Sequence, residues 1–222
     1  MKRITVLLAE DHLIVREGLR SLLNHEEDIE VIGEAGSGRQ AVQLTRKLRP
    51  AVVVMDIAMP LLNGLEATRQ IRKIFPDAKV LILSAHSDIA YVRQVATLGA
   101  AGFLLKQTSS HDLATAIREI HKGNKFFSPA IPGLKGRKTS NDPEPFTKKK
   151  NHLSSREMEV LQLIAEGKPN KQVAAELGVS FKTVDKHRQH LMSKLNIHDI
   201  ASLTRFAIAE GIIESTARLP IR

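Results

Sequence analysis

Between residue 4 and about residue 125, short aliphatic runs alternate with stretches whose apolar residues recur at helical spacing. The runs are Ile4 to Ala9, Glu30 to Ile32, Val52 to Met55, Val80 to Leu83 and Phe103 to Leu105. The stretches between them, Leu13 to Leu23, Arg39 to Lys47, Leu65 to Lys73, Ala90 to Leu98 and Asp112 to Lys122, read as helices. This alternation predicts an α/β domain of five βα units around a parallel sheet. The third and fourth runs are almost entirely branched aliphatics, as strands buried on both faces require.

The pattern changes at Pro129. Pro129, Pro132, Gly133, Gly136, Pro143 and Pro145 punctuate a polar stretch that ends in Lys148-Lys149-Lys150, which reads as an extended basic linker. After Asn151 the pattern is helical throughout. We therefore divide the chain into residues 1–128, a linker at 129–150 and a small all-α domain at 151–222.

Composition narrows the function. The net charge of +9 and sequence pI of about 9.9 point to an anionic partner. The absence of cysteine excludes disulfides, thiolate metal sites and a thiol nucleophile. Aromatic residues are 4% with no Trp, which argues against binding single strands by base stacking and leaves duplex DNA open. The start, Met1-Lys2-Arg3 followed by Ile4 to Ala9, is too short and too soon acidic for a signal peptide. No apolar stretch approaches the ~20 residues that span a bilayer, so a cytoplasmic protein without a membrane partner is expected.

Ligands of open parallel sheets bind beyond the carboxyl ends of the strands. The first run ends in Glu10-Asp11, the third in Asp56, the fourth in Ser84 and the fifth in Lys106. Crowded carboxylates repel unless one is protonated or a cation joins them, and an all-oxygen set suits Mg²⁺ better than zinc. Singly, each residue has an ordinary use as a turn former, helix cap or solvated lysine. Gly36-Ser37-Gly38-Arg39-Gln40-Ala41 also imitates a dinucleotide fingerprint, with Asp56 as its acid. It follows the second run, however, and the first turn is acidic, so we read it as a turn; a hydride-transfer enzyme is the alternative it leaves.

In the second domain, Ser154-Ser155-Arg156-Glu157 forms a capping box with Leu153 and Met158 as its staple. A helix carrying Val160, Leu161 and Ile164 ends at Gly167. A second helix, Lys171 to Leu177, turns through Gly178-Val179-Ser180 into a third, which together make a helix-turn-helix. On the third helix Val184, His187, Leu191 and Leu195 face the core, and Lys182, Asp185, Lys186, Gln189 and Ser193 face away. Lys suits guanine acceptors, Gln suits adenine and Asp can accept from cytosine, although a solvated helix shows the same mixture. A fourth helix, Ile200 to Glu210, is capped by Asp199 and ended by Gly211.

Glu10-Asp11, Asp56 in Met55-Asp56-Ile57-Ala58-Met59-Pro60, Gly64, Ser84-Ala85 and Phe103-Leu104-Leu105-Lys106 together resemble the receiver domain of bacterial response regulators. The resemblance implies a five-stranded, doubly wound, flavodoxin-like receiver. It also implies that Asp56 accepts a phosphoryl group from a sensor histidine kinase. Glu10, Asp11, Asp56 and the Ala58 backbone carbonyl would hold Mg²⁺, Lys106 would bond a phosphoryl oxygen and Ser84 would close onto it. Phe103 would be the switch aromatic, without the hydroxyl of the alternative Tyr. The phosphatase pattern, with a second Asp two residues after the nucleophile, is absent because that position is Ala58, so no enzymatic turnover is expected.

From Leu153 through Lys171, Leu177-Gly178-Val179-Ser180, Lys182-Thr183-Val184 and His187 to Lys194-Leu195, the chain is similar to LuxR-type DNA-binding domains, and as a whole to the NarL/FixJ group. Lys171, Thr183 and Lys194 match positions that meet phosphates or place the helix, while Asp185 and Lys186, after Val184, stand where bases are normally read, with Lys182 and Gln189 on the same exposed face. Asp185 departs from the basic or small residues common there, and either reads a cytosine or repels a misplaced duplex. The implied partner is double-stranded promoter DNA, bound as a homodimer, with release of a receiver contact that masks the recognition helix. A constitutive DNA-binding protein with a vestigial receiver is the competing class, against which the acidic set is complete.

The excess charge is unevenly placed. Residues 1–130 carry 17 basic and 14 acidic groups, 131–150 carry 6 and 2, and 151–222 carry 10 and 8. The linker thus holds the largest share. Neutralising Lys148, Lys149 and Lys150 is expected to flatten the salt dependence of DNA binding without altering base preference, as salt titrations on specific and random duplexes would show.

Overall fold

The structure is a computed structural model that describes residues 3–85, 92, 95–128 and 153–213. The chain divides into two compact units, Met1–Phe146 and Thr147–Arg222. The linker expected at 129–150, including its three lysines, lies outside the described residues, as do residues 90, 91, 93 and 94 of the helix expected at Ala90 to Leu98.

In the first unit the elements run β1 (Ile4–Ala9), α1 (Leu13–Asn24), β2 (Ile29–Ala35), α2 (Gly38–Leu48), β3 (Val52–Asp56), α3 (Gly64–Ile74), β4 (Val80–Ser84), β5 (Gly102–Leu105), α4 (Ser110–Lys122) and β6 (Phe126–Phe127). The strands form one parallel sheet ordered β2-β1-β3-β4-β5-β6. Five strands were expected, and six are present among the described residues. The sixth is two half-buried phenylalanines paired to Gly102 and Phe103 of β5, too short to show a period.

Strand alternation builds the core on two sides. Leu7, Val53, Met55, Ile82 and Phe103 pack with Ala41 of α2 and Leu65, Ala67 and Ile71 of α3. Val6, Leu8, Val54, Leu81 and Leu104 pack with Leu23 of α1 and Leu113, Ile117 and Ile120 of α4. Every residue of β3 and β4 is buried, matching their continuous aliphatic sequence. The strand order reverses between β1 and β3, so the crevice where a ligand belongs opens beside Glu10 and Asp56.

The second unit comprises α5 (Ser155–Ala165), α6 (Asn170–Leu177), α7 (Phe181–Leu195) and α8 (Ile200–Ala209). The capping box forms as expected, with Ser154 and Glu157 satisfying each other's backbone N–H groups. Gly178 ends α6 in the left-handed conformation at φ 62°, and Ser180 caps α7 through Thr183 N–H. Val160, Leu161, Val173, Val184, Leu191, Leu203 and Ala207 form the buried centre.

Candidate functional site

The rim follows from register. Ala9 of β1 pairs with Met55 of β3, so Glu10 and Asp56 come next, side by side. Lys106 follows β5, and its N–H donates to the Ser84 carbonyl at 2.8 Å. Asp56 and Glu10 are 2% and 1% exposed, and the Lys106 ammonium stands 2.9 Å from Asp56 Oδ2 and 2.8 Å from Glu10 Oε2. Asp56 Oδ1 accepts the Ile57 N–H at 2.8 Å. The loop after Asp56 closes tightly: Gly64 N–H donates to Ile57 O, and a Cβ on Gly64 would lie 1.8 Å from Asp56 O, so only glycine fits.

Glu10, Asp11, His12 and Asp56 each place a ligand-capable atom within 4.8 Å of the others. Glu10 Oε2, Asp11 Oδ1 and Asp56 Oδ2 are buried and, among the described residues, receive no directed hydrogen bond. One ammonium therefore faces several carboxylates. Burial, and then the charge of Glu10, push Asp56 from its usual 3.8 up to about 7, although Lys106 opposes this. Burial disfavours the Lys106 ammonium, but the adjoining carboxylates of Glu10 and Asp56 outweigh it and raise its pKa.

His12 was not foreseen, although it directly follows Glu10-Asp11. Its Nδ1 lies 2.9 Å from Asp11 Oδ1 and 3.1 Å from Glu10 Oε1, and Asp11 and then Glu10 raise its pKa. Arg16 was also missed; it donates to Glu10 O at 2.6 Å and ties the rim to Glu34 of β2. Ser84 ends β4 and is buried, and Phe103, with no exposure, lies wholly in the core. Among the described residues, no backbone hydrogen bond of the loop uses the Ala58 carbonyl.

The dinucleotide-like segment is a helix start. Ser37 caps α2 through Gln40 N–H, Gly38 N–H donates to Leu62 O at 3.0 Å, and a Cβ there would meet Leu62 O at 2.1 Å. The Gly38 amide that would face a pyrophosphate is bonded to protein.

In the second unit Lys182, Lys186 and Gln189 are exposed on α7, Asp185 and Thr183 are half-buried, and Lys171 is exposed near the start of α6. Thr183 Oγ1 lies 2.8 Å from the Ser180 hydroxyl, which places it in the cap. Lys194 Nζ donates to Glu157 Oε2 at 2.6 Å, and that same oxygen accepts Ser154 N–H at 2.7 Å. The lysine thereby joins α7 to the start of α5, a pairing across 37 positions that local pattern does not reveal. Leu203 and Ala207 have no exposure and belong to the core; on α8 the large exposed apolar residues are Ile200 and Ile208.

A parallel α/β domain with an acidic rim at its switch point, in one chain with a helix-turn-helix, defines a receiver coupled to a DNA-binding unit. Residues 6–118 match the response regulator receiver domain, and residues 151–207 match the bacterial regulatory proteins of the luxR family. The oxygen regulatory protein NreC of Staphylococcus carnosus is 35% identical over 218 residues, spanning 94% of this chain and 99% of that one. The transcriptional regulatory protein MctR of Rhizobium johnstonii is 35% identical over 212 residues, 95% and 96% of the two chains. Among solved structures, the RcsB response regulator of Salmonella typhimurium is 28% identical, covering 94% of this chain and all of its own, with a TM-score of 0.56. The chain belongs to the two-component response regulators that carry a LuxR-type DNA-binding domain, a family of transcriptional regulators.

Two predictions follow from the charges. Because Asp56 titrates higher in the folded protein, the native state binds more protons between about pH 4 and 7, and stability falls as pH rises through that window. Without divalent cations, Asp56→Asn is expected to stabilise the receiver at about pH 8 by on the order of 2 kcal/mol, with the gain shrinking towards pH 4; denaturant melts measure it. Glu157 shifts the opposite way: burial works against its charge, but Lys194 and Ser154 prevail and lower its pKa below 4.5. Its stabilisation is present above pH 4.5 and lost as pH falls through the lowered value. Lys194 is 42% exposed, so screening holds the expected cost of Lys194→Met to about 1 kcal/mol near neutral pH, vanishing in acid.

Proposed function

We propose that Asp56 accepts a phosphoryl group from a phosphohistidine of a sensor histidine kinase, and that this event switches binding of the helix-turn-helix to promoter DNA. The observation that carries the reading is the Asp56 carboxylate itself, buried at the strand end with one oxygen held by Ile57 N–H and the other beside Lys106.

In the transfer, a carboxylate oxygen of Asp56 forms a bond to phosphorus while the phosphorus–nitrogen bond to the donor imidazole breaks. The bonding pair leaves on that nitrogen, which then takes a proton from solvent. Asp56 must be ionised to attack. Lys106, already 2.9 Å from Asp56 Oδ2, supplies a donor and a positive charge for the incoming phosphoryl oxygens. The all-oxygen donor set, and the three carboxylate oxygens that lack directed hydrogen bonds, fit a hard divalent cation. Glu10, Asp11, Asp56 and the Ala58 carbonyl would hold Mg²⁺. When bound, it supplies charge that offsets carboxylate repulsion and the negative charge of the phosphoryl group. Ala58, two positions after Asp56, carries no acid or base to turn the phosphoryl group over, which supports a stored signal rather than an enzymatic cycle.

Ser84 closes on the phosphoryl group and Phe103 responds; its ring is inward in this structure, the position that closure of Ser84 would stabilise. In the second unit, Lys171 and Thr183 meet phosphates and position the duplex, Lys194 places α7 through Glu157, and Lys182, Asp185, Lys186 and Gln189 face the bases. RcsB has been solved as two dimers bound to two parallel DNAs. A homodimer on a two-fold site is the corresponding arrangement for this chain, with exposed Ile200 and Ile208 on α8 available to the contact. Residues 1–128 act as receiver, 129–150 as tether and 151–222 as reader, in the cytoplasm, where the promoter is.

Acetyl phosphate with Mg²⁺ is expected to phosphorylate the wild type but not Asp56→Ala, and to tighten promoter binding of the wild type alone. Intact-mass spectrometry and mobility shifts measure both. Labelling of the variant refutes the acceptor, and DNA affinity indifferent to phosphate refutes the switch.

A further inference from the structure

The acid at position 185 sits on a helix face that should meet a polyanion, and its neighbour explains it. Gln189 Nε2 donates to Asp185 Oδ2 at 3.0 Å, one helical turn apart on α7. Both lie off the buried stripe of Val184 and Leu191, which have no exposure. We propose that Asp185 and Gln189 form one base-reading unit directed at adenine, with Gln189 touching the base and Asp185 holding the amide; this rests on the DNA-binding function above.

A carboxamide has two N–H donors on nitrogen and an acceptor on oxygen. Left alone, it turns about its terminal bond and presents either end. A carboxylate only accepts, so Asp185 selects the nitrogen end and fixes the plane. Helical side chains lean towards the amino terminus, which brings Gln189 over the turn that bears Asp185.

With one N–H engaged, the second N–H and Oε1 remain side by side as a donor and an acceptor. Adenine offers N7 as acceptor and N6 as donor in the major groove and satisfies both. Guanine offers two acceptors, N7 and O6, so one opposes Oε1 and both meet the field of the carboxylate. Cytosine and thymine each satisfy one of the two bonds. The acid thus acts within the protein to orient Gln189 and against guanine to exclude it, the attractive and repulsive halves of specificity. Its charge is not spent on a phosphate, a role that exposed Lys182 and Lys186 on the same helix can fill.

The test is binding-site selection from random duplexes by the full chain with acetyl phosphate and Mg²⁺, using the wild type, Asp185→Ala, Asp185→Asn and Gln189→Ala. The wild-type motif is expected to contain an adenine whose preference falls about tenfold in both alanine variants, at the same position. Asp185→Asn is expected to fall between, because its Oδ1 can still accept from Gln189 while its Nδ2 can instead donate to Oε1 and its lost charge no longer opposes guanine. Circular dichroism and thermal melts of each variant, matching those of the wild type, verify that the variants are folded. Losses at different positions, a cytosine preference lost only in Asp185→Ala, or no loss in either alanine variant would each overturn the unit while leaving DNA binding intact. A wild type that enriches no sequence would overturn the DNA-reading function itself, and the unit with it.

Discussion

Carboxylates crowded at the ends of neighbouring strands against a single ammonium are the constraint from which the receiver's behaviour follows. Parallel pairing of β1 with β3 places Glu10 beside Asp56, and burial to 1% and 2% exposure withdraws the water that would screen them. Lys106 reaches both but offsets only part of the repulsion, and Asp56 is left with a pKa of about 7. Such a site holds an excess of negative charge that a bound cation would offset. The surrounding fold keeps it rigid: β3 and β4 are buried throughout, and Gly64 lets the loop after Asp56 close against the strand.

The second unit solves a different problem, the placement of one helix. α7 has only Val184 and Leu191 fully buried, so packing alone gives it a narrow seat. The Lys194–Glu157 pair adds a polar fixture, and it uses the oxygen that also caps α5. The start of the first helix and the end of the recognition helix are thereby coupled. On α7 itself, Lys194 and Thr183 are turned towards the protein, whereas Lys182, Lys186 and Gln189 are exposed.

Much of this was legible in the chain because it is local or topological. The aliphatic runs of β3 and β4, the capping box at Ser154 and the acids after β1 and β3 each announce themselves within a few residues. Once the sheet is parallel, strand-end residues converge without further information. What escaped is short or long-range. β6 has two residues and no period, and it exists because β5 offers it an edge. Lys194 with Glu157, and Arg16 with Glu34, are pairs of distant positions that packing creates. The orientation of Phe103 was also illegible, since an aromatic at a strand position fits core and surface alike.

The site and the reader come together in the family to which the chain belongs, where a small change of charge at one domain governs the activity of another. On the proposed function, the state of Asp56 controls where the protein sits on DNA. Genome-wide occupancy of the wild type and of Asp56→Ala, compared under a stimulus that activates the wild type, tests it most directly. A defined set of promoters is expected to be occupied by the wild type and largely vacated by the variant. Equal occupancy of the same promoters by both would contradict it.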